Sequence, residues 1–356
     1  MEENPLATQL HEETEETQNI ADFSCESSES FGYLLSKLGL TLMLTSYQAN
    51  RLILINADDD ELYISVKAFP RPMGLAVDQQ RIVLGVHSQV FDFQRCDAVA
   101  PSLEPIGLVK HCFSPSSSHF TGMINIHDIA WGDEGLWAVN SNFSCLCLIQ
   151  SGNSFIPKWK PWFISELVPE DRCHLNGMAL RDGAPAYVTC FSDSNENKNW
   201  RNRVAHRGLL VDVNNNEILA NNLYMPHSPR YYRDKLYFCN SGYGQLCSYD
   251  FASGQVVVEL ELPGFTRGIG FHQNLMFVGL SQSRESKNNQ PPPIAQSQTY
   301  CGVYVIDLDD MEIVANLHFS GDMVQVYDVA VIDLPFSEVL QVDEEMVSRV
   351  FNFPAM

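Results

Sequence analysis

Ile126-His127-Asp128-Ile129-Ala130-Trp131 is the stretch on which the reading of the fold turns. A polar pair leads into an apolar run, and a second apolar run opens about nine residues on, at Leu136. The phrase recurs along the chain. Its other copies are Met73-Gly74-Leu75-Ala76-Val77, Asn176-Gly177-Met178-Ala179-Leu180, His227-Ser228-Pro229-Arg230-Tyr231, Arg267-Gly268-Ile269-Gly270-Phe271 and Tyr327-Asp328-Val329-Ala330-Val331. The leading residues lie 54, 49, 51, 40 and 60 positions apart. Second strands are expected from Ile82, Leu136, Ala186, Leu236 and Met276. A four-stranded propeller blade takes roughly 40–50 residues, so six copies predict an all-β, six-bladed β-propeller. The last copy starts too near the final residue to complete a blade, while Leu42–Thr45 and Arg51–Asn56 precede the first copy with no blade of their own. Joining the two closes the ring and removes exposed sheet edges.

Composition agrees with one large folded unit. Hydrophobic residues make up 45% and aromatic residues 11% of 356, enough for a substantial core. Residues 1–30 carry nine acidic residues and no Lys or Arg, and their Ser- and Glu-rich, apolar-poor composition predicts a disordered acidic tail. Residues 31–356 are then one propeller domain, with a short helix at Phe31–Leu38. Two polar insertions, Ser192–His206 and Ser281–Thr299, read as long loops. The formal charge of −22 argues against nucleic acid and anionic membrane surfaces as partners. No run is apolar enough for a membrane helix and no signal-peptide pattern opens the chain, so a cytoplasmic location is expected. The ten cysteines, mostly within strand-like runs and without a Cys-x-x-Cys, read as buried reduced thiols.

In a propeller the first strand of each blade lines the central shaft, so the leading residues Met73, His127, Asn176, His227, Arg267 and Tyr327 should face the axis. His174 stands two residues before Asn176, which on a strand places both on one side. His127, His174 and His227 are therefore expected to bind one transition metal ion, zinc first, since three neutral imidazoles with an open position suit a catalytic zinc. Arg267 and Tyr327 are candidate catalytic groups for anion stabilisation and proton relay, with Asp128 beside the first histidine as a third. Asn176, Arg230 and Arg71 are candidate substrate-binding residues. Arg267 has a plainer reading as well, pairing with Asp128 or Asp328 to hold a metal-free shaft together.

Several longer stretches resemble a bacterial family of conserved hypothetical β-propellers of unknown function. They are Ser46–Leu52, Ile126–Ala130, Leu136–Leu146, Trp159–Phe163, Pro169–Gly177 and Met225–Arg230. The resemblance runs from about residue 40 to 335; it implies a single propeller and carries no activity. In architecture and residue types the chain is also similar to the lyase domain that completes peptide amidation, a six-bladed propeller with a three-histidine zinc and a nearby Arg and Tyr. His127, His174, His227, Arg267 and Tyr327 match that arrangement. Lactone-hydrolysing propellers, which hold calcium with a Glu, Asn and Asp set, match only at Asn176. The expectation is a metal-dependent lyase or hydrolase acting in the shaft on a small molecule or modified peptide. The alternative is a non-catalytic propeller that binds a protein or ligand on its rim, with a protein partner reached through rim or tail.

Overall fold

The computed structural model of the chain describes residues 21–202, 207–283 and 291–351. Six sheets of four or five strands surround one axis, antiparallel throughout except where Ser337–Val339 pairs in parallel with His111–Phe120. The innermost strands of blades 1 to 5 are Leu75–Val77, Ile126–Gly132, Leu175–Arg181, Pro226–Tyr232 and Phe265–His272. Blade 6 takes its innermost strand, Asp328–Ile332, from the C-terminal end and its next strand, Thr41–Ser46, from the N-terminal end. The register is Leu42 to Val331 and Leu44 to Val329, so the two ends of the chain are knitted in one sheet as the repeat phase predicted.

Strands here read as continuous apolar runs because both sheet faces are covered. Alternation sends Met43 into a core shared with blade 1, against Ile82 and Phe93, while Leu42 and Leu44 enter the core shared with blade 5, against Phe277 and Val303. Each remaining pair of neighbouring blades encloses a similar apolar layer. The helix Glu29–Leu38 seals the layer between blades 5 and 6 with Phe31 and Leu35, both fully buried, each worth about 1.5–3 kcal/mol of burial.

The expected tail needs dividing. Residues 1–20 lie outside the described residues. Residues 21–30 are ordered: Cys25–Ser27 adds a strand to the outer edge of blade 5, pairing with Leu317–Phe319, and the helix begins at Glu29. That edge offered unpaired backbone groups, which outweighed the polar composition of the segment. Of the two insertions read as loops, residues 203–206 and 284–290 are outside the described residues, and short 3-10 turns occupy Asn199–Asn202 and Pro293–Gln296. All ten cysteines are free, and eight are buried. Among the described residues no helix is long and apolar enough to cross a membrane.

Candidate functional site

Met73, His127, Asn176, His227, Arg267 and Tyr327 all line hollows of the shaft. The residues that follow them alternate by blade: Gly74, Asp128, Gly177, Ser228, Gly268, Asp328. The alternation is a packing device. A Cβ on Gly74 would lie 3.0 Å from the backbone of Asp128, one on Gly177 3.0 Å from the amide nitrogen of Ser228, and one on Gly268 2.9 Å from the backbone of Asp328. Each glycine blade gives way to its neighbour. The neighbour's side chain then accepts a backbone N–H across the following blade boundary: Asp128 from Met178 at 2.9 Å, Ser228 from Gly268 at 2.9 Å, Asp328 from Leu75 at 3.1 Å.

Arg230 bridges the two carboxylates of this ring. Its guanidinium donates to both oxygens of Asp128, at 2.7 and 3.1 Å, and lies 3.5 Å from Asp328. The three close the shaft, leaving only a gap of about 10 Å³. Sequence reading placed Asp128 with the catalytic groups and Arg230 with substrate; the structure pairs them with each other in this plug. The pairing considered for Arg267 is thus made by Arg230. Two buried carboxylates share one cation here. Burial raises the Asp328 carboxyl to about 7, opposed by Arg230 and reinforced by Asp128. A folded-state value above the unfolded one means the proton favours the fold: the contribution is complete below the ordinary carboxylate range and is lost as pH rises towards 7. Asp328→Asn should therefore flatten the pH dependence of stability. Its urea midpoint should change less than that of the wild type between pH 5 and 8; an unchanged slope would mean Asp328 does not carry the proton.

Above the plug, at the end where the leading residues sit, is a chamber of about 260 Å³ that holds all three histidines. His127 Nδ1 is 2.9 Å from the carbonyl of Asn125 and 2.7 Å from Ser141 Oγ. The Ser141 hydroxyl gives its single hydrogen to the Leu175 carbonyl, so Nδ1 carries the ring proton. His227 repeats the clamp two blades on, with Met225 O at 2.9 Å, Ser241 Oγ at 2.9 Å, and Ser241 donating to Thr266 O at 2.6 Å. Burial holds both imidazoles well below the ordinary histidine value, helped at His127 by His174 and then Arg267, and at His227 by Arg267 and then His174. Both rings are neutral, with Nε2 left as the lone-pair nitrogen.

His174 reaches the chamber by another route. The innermost strand of blade 3 begins at Leu175, and His174 precedes it with φ +52°. The two-residue alternation therefore does not extend to it, and the expectation that His174 and Asn176 share one strand face is corrected. Instead Asp171 accepts the His174 Nδ1 hydrogen at 2.9 Å and Trp200 stacks on the ring at 3.9 Å between centroids. Trp200 also donates to Asp171 at 3.0 Å. His127 and His174 meet edge to face, 4.7 Å apart. Phe191 touches both His174 and His227. Asn176 turns towards the plug and accepts from Thr189 at 2.9 Å. Among the described residues, no three His, Cys, Asp or Glu side chains are placed so as to hold a metal ion.

Tyr327 donates to the backbone carbonyl of His127 at 3.2 Å, and burial raises its pKa against the pull of Arg267, so it stays a phenol. The Arg267 guanidinium lies 3.6 Å over the Tyr327 ring. Arg71 is exposed at the mouth, 6.0 Å from the ring of Tyr47, and Arg267 is 5.9 Å from the same ring.

Asp171, Trp200, Phe191, Ser141 and Ser241 were not singled out from sequence. Trp200 left a trace, being the one aromatic residue within the polar insertion Ser192–His206.

A family model matches residues 29–339. The chain belongs to that family, the domain of unknown function DUF4915. No curated protein matches this DUF4915 chain. Among solved structures, a protein of unknown function from Bacteroides caccae is similar to it over 83% of this chain and 99% of its own, at 10% identity and a TM-score of 0.52. A nidogen/laminin complex structure is similar over 82% and 98%, at 11% identity and a TM-score of 0.50. At such identities the likeness extends to the fold, and the DUF4915 chamber has to be read from its own residues.

Proposed function

We propose that the chamber is the active site of a lyase or hydrolase acting on a small molecule or modified peptide. In this reading it works with one transition metal ion, zinc first, carried on Nε2 of His127, His174 and His227. The supporting observation is that all three rings have Nδ1 engaged by a carbonyl, a hydroxyl or a carboxylate, leaving Nε2 for a ligand. Metal-binding histidines are oriented in this way by their outer partners. A donor set of three imidazoles without thiolates suits zinc and its first-row neighbours. As placed, the rings are not closed around one point, so the reading requires them to draw together on the ion. Bound there, the ion would polarise a carbonyl or acidify a water. The chain's own residues supply the rest. Asp171 fixes the orientation of His174, Ser141 and Ser241 fix the tautomers of the other two, and Phe191 and Trp200 exclude water beside them.

Metal analysis of protein purified without an affinity tag or chelator tests this. About one equivalent is expected. Asp171→Asn should weaken metal affinity about 10–100-fold while the fold is retained. His272→Ala, at the far end of the blade 5 innermost strand, should leave metal content unchanged. Protein that takes up no zinc, iron, manganese or nickel in excess would sink the metal reading, and the rim-binding alternative would take its place.

A further inference from the structure

We propose that the ligand of the chamber is a small monoanion of the carboxylate class with an apolar or aromatic body, its carboxylate seated on Arg267. The inference rests on the reading of the chamber as a ligand site and does not require the metal.

Arg267 is a permanent cation only 8% exposed. Its guanidinium stacks on the Tyr327 ring at 3.6 Å, and no carboxylate of the described residues pairs with it. Every buried carboxylate nearby is engaged elsewhere. Asp128 and Asp328 face Arg230 in the plug, and Asp171 accepts from His174 and Trp200. An uncompensated buried ion costs several kcal/mol, so a buried guanidinium that opens into a cavity is a place for an anion.

The size and shape of the site narrow the ligand. One buried guanidinium balances one negative charge, and its planar fork matches a carboxylate in two parallel hydrogen bonds. Arg71, exposed at the mouth, attracts an anion inward but adds no second buried charge. The cavity of about 260 Å³ is below the range of drug-sized sites, roughly 300–1,000 Å³, which favours a compact molecule. Phe191, Trp200 and Phe265 give it aromatic walls.

Tryptophan fluorescence titration of the full chain with benzoate, benzamide, N-benzoylglycine and methyl phosphate tests the proposal, with zinc content measured on the same samples. Benzoate or N-benzoylglycine should bind at least about tenfold more tightly than benzamide, the fold-change expected for a charge-assisted hydrogen bond. The tighter of the two acids tells a free acid from a peptide terminus. Arg267→Met should lose that preference and Arg267→Lys should keep part of it. Should the methionine variant fail to fold, the wild-type comparison and the lysine variant still decide. Equal binding of benzoate and benzamide, binding of neither, or unchanged preference in Arg267→Met would overturn the proposal, as would tighter binding of methyl phosphate than of either acid. Preference for the acid in zinc-free protein would leave this inference standing and remove the metal.

Discussion

Replacing Arg230 with methionine is expected to lower stability by about 3–5 kcal/mol. The substitution leaves Asp128 and Asp328 facing each other in the closed part of the shaft without a cation. Their remaining partners are backbone amides of their own strands and of the neighbouring blades, so the cost of burying or protonating the uncompensated pair falls on the contacts that hold the ring together. Arg230→Lys should recover only part of the loss, because an ammonium cannot reproduce the two-pronged bond to Asp128. Adding Asp128→Asn and Asp328→Asn to Arg230→Met should recover much of it, since neutralising a whole buried ionic set costs far less than breaking it. Urea unfolding of these variants checks the order. A methionine variant within 1 kcal/mol of wild type would show that the plug is held by packing alone.

Gly268→Ala is expected to cost about 2–5 kcal/mol, adding left-handed backbone strain to overpacking. Gly268 has φ +81°, and a Cβ there would lie 2.8 Å from the Val329 amide nitrogen and 2.9 Å from the Asp328 backbone. Those atoms belong to the innermost strand of blade 6. Gly152 supplies the comparison: its φ is +91° and nothing lies within 4 Å of its Cβ position. Gly152→Ala should cost only the conformational part, and the difference in thermal midpoint between the two variants isolates the steric part. Equal midpoints would show that the blades yield at Gly268.

The ring and its closure were legible in the sequence because every blade repeats one phrase, and because the segments Leu42–Thr45 and Tyr327–Val331 were each left without a blade. The six shaft residues followed from the same phase. What the phase could not give was anything set by a change of backbone direction. His174 enters the chamber from a left-handed residue ahead of its strand, and Trp200 arrives from an insertion that carries no repeat. Residue type also misled where charges could be exchanged. Arg230 and Arg267 occupy neighbouring blades of one shaft, and only the three-dimensional arrangement shows which meets Asp128 and which is left with an aromatic ring. The order in Cys25–Ser27 was hidden because it depends on an edge nearly 300 residues away, as the pairing of Cys25 with Phe319 records.

The clasp in blade 6 also sets a timetable for the nascent chain. Thr45 and the Asp328 amide it receives are 283 residues apart, which at ~5–20 residues per second is roughly 15–60 s of synthesis. Throughout that interval Thr41–Ser46 presents a bare, apolar strand edge, the kind of surface that holdase chaperones cover. Tyr327, which lies under the Arg267 guanidinium, and Asp328, which closes the plug with Arg230, are not in place until the clasp shuts. A chain still on the ribosome therefore has its histidines and Arg267 but neither the ring on which that guanidinium stacks nor a complete floor beneath them.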